Sequence, residues 1–240
     1  MSQIPFNTLP GGMTIEQCDT IMCLVSIAEN GTTKWENQYN YIEDIHDKRG
    51  YTCSLVGFCS GTGDLLWVFR DLKKHSPLHH LLKYIPALEK VNGSDSTVGL
   101  ENLPADLKVH GDEAWRRSVW NGILHHYWRP AMKFAESLGL KFPISKGFLY
   151  DLALNHGANC ISRFAKRVKA ATPTQGGDER AWLSELIAVR QHNIVHEDRS
   201  TNSGQPDRCI LWRSILDAGN VDLKRPLLGL VCYKTKFSLK

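Results

Sequence analysis

The sequence predicts an α+β fold that is predominantly α-helical. Apolar residues recur at three- and four-residue spacing in several separate stretches between residues 14 and 218. Only residues 51–58, YTCSLVGF, have strand character. Turn and cap residues separate these stretches at intervals that suit short helices. The 240 residues suffice for one large domain or two closely packed lobes, with a real core.

The first helix begins after Thr14, whose spacing to Gln17 is that of a capping box. Ile15, Cys18, Met22 and Val25 form its apolar stripe, which Ile21, Leu24 and Ala28 widen. It should end at Asn30-Gly31, leaving Glu29 in the last turn. Residues 38–50, QYNYIEDIHDKRG, are polar, aromatic and turn-rich, and SGTGD (60–64) reads as a turn. LLWVFRDLKK then starts a helix with Asp64 near its N-cap. Residues 79–91 are amphipathic, with a bend expected at Pro86. Residues 112–139 form a long segment with a face of Trp115, Val119, Ile123, Tyr127 and Phe134, kinked at Pro130. Ser145 is placed to cap GFLYDLALNHG, residues 178–195 form a strong helix, and a last helix covers about 209–218. The Gly-, Ser- and Pro-bearing segments 92–111 and 171–178 read as connections between lobes.

Composition excludes several classes. The chain is 42% hydrophobic and 22% charged, values of an ordinary globular protein rather than a disordered or fibrous one. No apolar run approaches the roughly 18 residues of a membrane helix, so a soluble protein with no membrane partner is expected. The start, MSQIPFNTLPGGMT, has neither a basic nor an apolar leader region and is not read as a signal peptide. Seven cysteines without a CxxC argue against a structural zinc cluster and read as buried free thiols. No metal and no cofactor is expected. The net charge of +4 is unevenly spread: residues 1–64 hold 8 acids and 3 bases, so the rest of the chain is strongly basic. That is not the continuous basic stripe of a nucleic-acid binder. An acidic N-terminal quarter attracts cations, though an uneven solvated surface explains it equally.

Two acids invite a chemical reading. An apolar helix face, a helix C-terminus and nearby acids would all raise the pKa of Glu29, as a general acid requires. Eighteen residues on, Asp47 lies in a polar loop where Arg49 and solvent would keep it ionised. One carboxyl pushed up and one held down is the pattern of a glycosidase pair. Spacing alone does not establish it, because a helix-terminal Glu and a turn Asp need no function.

The wording around them adds specificity. AEN, then WENQYNYIEDIHDKRGYT, then LVGFCSGTGD resemble the signature region of glycoside hydrolase family 46, the endo-chitosanases. The resemblance returns in family order at KYIPALEKVNGS, YDLALNHG, ATPTQGGDE and LDAGNVDL, across most of the chain. It implies a lysozyme-like fold with two lobes flanking a substrate cleft and a small β region in the N-terminal lobe. Residues 1–240 would form one catalytic domain, its cleft lined mainly by residues 25–64 and 150–210. It implies endo-hydrolysis of β-1,4 linkages in chitosan, a glucosamine polymer, with inversion.

By position in these blocks, Glu29 matches the general acid, Asp47 the general base and Thr52 the hydroxyl that helps place the attacking water. An inverting pair has its carboxyls about 6.5–9.5 Å apart. Tyr41, Asp44, Arg49, Asp64 and His156 match residues that bind glucosamine oligosaccharides. Each has a plainer alternative: core packing for Tyr41, a satisfied buried histidine for His156, a partner of Asp47 for Arg49, and a helix N-cap for Asp64. Asp151 and Arg190 match a buried Asp–Arg–Arg chain behind the acid, or an ordinary ion pair. Arg208 is the third member by order, with Arg213 the competitor, because residues 196–207 depart from the family pattern. The resemblance also implies a monomer. The family is usually secreted, with relatives encoded by viruses of algae, so localisation stays open. The alternatives are a lysozyme-like hydrolase of chitin or peptidoglycan and a non-catalytic polysaccharide-binding protein.

Overall fold

The computed structural model describes residues 4–197 and 206–240. Among them the chain is mostly helical, with two small antiparallel sheets. It divides into two compact units: residues 1–5 with 36–125, and residues 6–35 with 126–240. The chain therefore passes between units at residues 5/6, 35/36 and 125/126, not at the expected 92–111 and 171–178. Segment 92–111 holds a helix of the first unit, and 171–178 is a 3₁₀ turn of the second closed by a Thr172–Gln175 capping box.

The first unit begins with a three-stranded sheet of β1 (Ile42–Asp44), β2 (Tyr51–Cys53) and β3 (Phe58–Cys59), in that order. Glu43 pairs with Thr52, and Thr52 with Cys59. Then come α2 (Asp64–His75), a 3₁₀ turn at His80–Tyr84, α3 (Ile85–Val91), α4 (Leu103–His110) and α5 (Glu113–Ile123). Pro86 starts α3 rather than bending a longer helix, since an N-terminal position leaves no amide bond to break. The core is aromatic: Trp115 Nε1 donates to Tyr39 O at 3.0 Å and Trp120 Nε1 to the Tyr39 hydroxyl at 2.6 Å. These bonds satisfy the polar edges that burying three large rings would otherwise strand.

The second unit contains α1 (Ile15–Asn30), α6 (Arg129–Ser137), α7 (Pro143–His156), α8 (Ile161–Ala165), α9 (Glu179–His192) and α10 (Pro206–Asp217). A hairpin of β4 (Leu227–Cys232) and β5 (Thr235–Leu239) completes it. α1 has the expected capping box at Thr14 and Gln17, and Gly31 ends it in the left-handed conformation. It packs on α7 and α10, where Gly147 allows close approach: a Cβ there would lie 2.8 Å from Ile21 and 2.9 Å from Trp212.

Three local expectations are corrected. Ser145 does not cap α7; the helix starts earlier, at Pro143, and Ser145 is buried inside it. The amides of Lys141 and Phe142 instead donate to the buried Glu179 carboxylate, both at 2.8 Å. Residues 124–128 form a π turn, which inserts one residue into the helical count. The buried positions after it are therefore Trp128, Ala131, Met132 and Ala135, while Tyr127 and Phe134 are only half-buried. The third is the β4–β5 hairpin, a second β region where one was expected.

Candidate functional site

The sequence-predicted residues fall into two groups, one in each unit. In the second unit Glu29 occupies the last turn of α1, its side chain 40% exposed. Its carboxylate accepts a bond from Arg208 of α10. The nearest charge is thus a cation, not the neighbouring acids the sequence suggested. Arg208 is buried and also faces Asp151 Oδ1 at 3.3 Å. Asp151, in the middle of α7, is fully buried. Its Oδ2 accepts from Arg190 Nη1 of α9 at 2.7 Å and from Trp212 Nε1 of α10 at 3.0 Å. A continuous row of alternating charges, Arg190–Asp151–Arg208–Glu29, therefore runs from the core to the surface. Arg213 turns the other way and bonds Ser184. The part of the divergent segment at residues 198–205 lies outside the described residues.

Burial alone would push the Asp151 carboxyl up, but the charges of Arg208 and Arg190 and the bonds from Arg190 and Trp212 leave it below the usual carboxylate range. Burial pulls the Arg208 guanidinium down, and Asp151 and Glu29 outweigh it, so its pKa is raised. Arg208 is a fixed cation.

Sequence reasoning missed three neighbours. Trp212 gives the Asp151 carboxylate its second hydrogen bond. Asn155 Oδ1 accepts from Arg190 at 3.1 Å. Tyr233, at the tip of the β4–β5 hairpin, donates its hydroxyl to Ala28 O at 2.8 Å, one residue before Glu29. Its backbone amide donates to Asp207 at 2.5 Å, and burial pushes its phenol up to about 12. None of these partners is signalled locally, since each contact spans more than 30 residues of chain. His156 closes α7 half-buried, its ring 4.9 Å from that of Phe164.

In the first unit the remaining residues gather on the small sheet. Asp47 lies in the turn between β1 and β2, between His46 and Lys48, which have positive φ of 58° and 68°. Gly50 closes the turn at φ 71°, and a Cβ there would lie 2.3 Å from Ser60 Oγ. Asp47 accepts three bonds from Arg49: from its amide at 3.1 Å, Nε at 2.8 Å and Nη2 at 2.5 Å. Those bonds hold the Arg49 guanidinium above its ordinary value. Thr52, on β2, has its hydroxyl 3.7 Å from Cys59 Sγ. Burial pushes the Cys59 thiol up, more than Thr52 and Arg49 lower it.

Asp64 is the first residue of α2, with Gly63 as N-cap. Its Oδ1 accepts from Cys59 N at 2.8 Å, Leu65 N at 3.0 Å and the Thr62 hydroxyl at 2.6 Å, tying β3 to the helix start. Asp44 accepts from His46 N at 2.8 Å. Tyr41 is half-buried and donates to Glu43 at 2.9 Å; burial, then that bond, pushes its phenol up to about 12. So Tyr41 is not core packing, and Asp64 has a structural role of its own.

Chemically, the second unit presents a half-exposed carboxylate on a rigid buried charge row. The first presents a turn-held carboxylate, with the Thr52 hydroxyl on the strand that follows the turn and further acids on the same sheet. A family model described as glycosyl hydrolase family 46 matches residues 23–227. A chitosanase of Streptomyces sp. (strain N174) is 37% identical over 215 residues, 86% of this chain and 76% of the relative. One from Nocardioides sp. (strain N106) is 36% identical over 217 residues, 87% of this chain and 77% of the relative. Among solved structures, the native chitosanase of Bacillus subtilis MY002 matches with TM-score 0.84 and 30% identity, over 95% of this chain and 100% of its own. A Gynuella sunshinyii GH46 chitosanase in complex with chitotetraose matches with TM-score 0.82 and 28% identity, over 95% and 99%.

Proposed function

The chain belongs to glycosyl hydrolase family 46, and from that premise we propose that it is an endo-acting, inverting hydrolase of β-1,4 linkages in chitosan. Glu29 gives its proton to the leaving glycosidic oxygen. Asp47 takes a proton from a water that Thr52 helps to place, and that water attacks the anomeric carbon from the opposite face. The old C–O bond breaks as the new one forms, so no covalent sugar–enzyme species arises and the configuration inverts. Tyr41, Asp44, Arg49, Asp64 and His156 bind glucosamine units, the carboxylates meeting substrate ammonium groups. The chain acts as a monomer, as one catalytic domain.

The observation that carries this reading is the charge row ending on Glu29. Burying a carboxylate and two guanidiniums costs several kcal/mol per ion before pairing, which surface stability does not require. What the row supplies is position and charge. As the proton leaves, Glu29 becomes a carboxylate, and a fixed Arg208 is already in place to receive that charge. An interaction that strengthens as the bond breaks lowers the barrier rather than merely binding substrate. Two similar solved chitosanases with bound oligomers, one carrying six GlcN and one chitotetraose, support the substrate class.

The test is Glu29→Gln. Chitosan hydrolysis should fall by about 10²–10⁴-fold, the worth of a positioned general acid, with oligomer binding retained. Asp47→Asn should lose nearly as much. Proton NMR of the first products should show the α-anomer, and a β-anomer would exclude inversion. Activity should decline as the substrate becomes more acetylated. A rate rising with acetylation would favour a chitin-directed enzyme.

A further inference from the structure

We propose that the first unit carries a divalent transition-metal site formed by His80, Asp106 and His110. Asp106 and His110 are four residues apart on α4, so both point to one side of that helix. His80 reaches them from the 3₁₀ turn at His80–Tyr84, which packs against α4. One ligand atom from each residue lies within 4.8 Å of the others. The imidazoles of His80 and His110 stack with centroids 4.0 Å apart. Two imidazoles and a carboxylate suit zinc, with water completing the shell.

Two further observations distinguish this cluster from a chance gathering of polar side chains. A cation already bridges two of the three residues: Lys83 Nζ is 2.7 Å from Asp106 Oδ2 and 3.0 Å from His80 Nε2. An ammonium can only donate, so a cation is the partner this ring nitrogen meets. The carboxylate is also pre-oriented, because the Tyr84 hydroxyl donates to Asp106 Oδ2 at 2.6 Å. A hydrogen-bonded carboxylate is the usual outer-shell arrangement of a metal ligand. The Lys83 side chain is half exposed, and a divalent ion would replace its single charge. A bound metal would clip the 3₁₀ turn to α4.

The test titrates ZnCl2 into the full chain by calorimetry, with Co²⁺ as a spectroscopic probe. One equivalent should bind, and Co²⁺ should show visible ligand-field bands without the intense near-ultraviolet thiolate absorption the cysteines would give. His110→Ala should weaken binding by at least about tenfold, the loss even an outer-shell partner causes. Lys83→Met should tighten it by up to about fivefold, because it removes a competing surface ion pair. The Lys83 variant keeps the test decisive where a histidine variant folds poorly. Absence of zinc binding in both the unsubstituted chain and Lys83→Met would overturn the proposal. So would binding that survives loss of both His80 and His110, or a thiolate signature with Co²⁺.

Discussion

Arg208→Met probes the charge row where its energetics are most asymmetric. The guanidinium is 2% exposed and lies between Asp151, fully buried, and Glu29, 40% exposed. Removing one partner of a buried pair costs about 3–5 kcal/mol, because the other charge stays in the core. Asp151 keeps Arg190 and Trp212 as partners, so the lower end applies, about 3 kcal/mol. For a chain of this size that lowers Tm by about 6–12 °C at 2–4 °C per kcal/mol. Removing the outer end is different. Glu29→Gln acts where the side chain is 40% exposed, keeps an amide oxygen able to accept from Arg208 and leaves Arg208 facing Asp151, so it should cost about 1 kcal/mol at most, or a few degrees. Differential scanning fluorimetry of both variants, with initial rates on chitosan, measures the contrast. Glu29→Gln should keep its melting temperature and lose its rate. Arg208→Met should lose both, its rate by about 10- to 100-fold, as for a residue that orients a reacting group. Equal melting temperatures for the two would refute the view that the row is anchored in the core.

Other outcomes follow from single positions. Gly50→Ala forces a side chain into a left-handed residue, costing about 1–2 kcal/mol. It also displaces Ser60 Oγ, which accepts from Tyr51 N at 2.9 Å, so chitosan turnover should fall together with Tm. Gly147→Ala overpacks α7 against Ile21 and Trp212 and should cost about 1–3 kcal/mol by urea denaturation. The Asp151 carboxyl is depressed in the fold, so its stabilisation is complete above the unfolded value of about 4 and is lost as pH falls toward the lower folded value. Asp151→Asn should therefore flatten the acid limb of the stability curve and leave its alkaline limb unchanged. All seven cysteines are free thiols, and all but Cys160 are buried. A thiol reagent should titrate about one group rapidly in the native chain and the rest only in denaturant.

The sequence made some of this legible for local reasons. α1 was readable at both ends because its cap signals, Thr14 with Gln17 and then Gly31, are contained in the helix they bound. That placed Glu29 in its last turn. The Asp47 turn was readable because Gly50 and its polar neighbours have few other uses. What escaped depends on distant partners. Nothing near Tyr233 signals that its hydroxyl will meet Ala28, and Trp212 reads as ordinary core until Asp151 is beside it. The β4–β5 hairpin was hidden by its irregular pairing between Leu227 and Leu230, which breaks the alternation expected of a strand. The π turn at 124–128 shifted the buried face by one residue, a change no fixed period detects. The bond of Lys83 to Asp106 is likewise visible only when two separate segments are brought together.

The path of the chain sets an order of events during synthesis. The helix that carries Glu29 leaves the ribosome well before its partners Arg208 and Tyr233, which stand 179 and roughly 200 residues later. Residues 36–125, made in between, form most of the other unit and contain their own sheet and core. That unit has the means to condense while its predecessor waits, since domains generally fold as they emerge. The contacts around Glu29 are thus completed only once Tyr233 has been made, and a nascent fragment that stops earlier, however well folded, carries Asp47 without them.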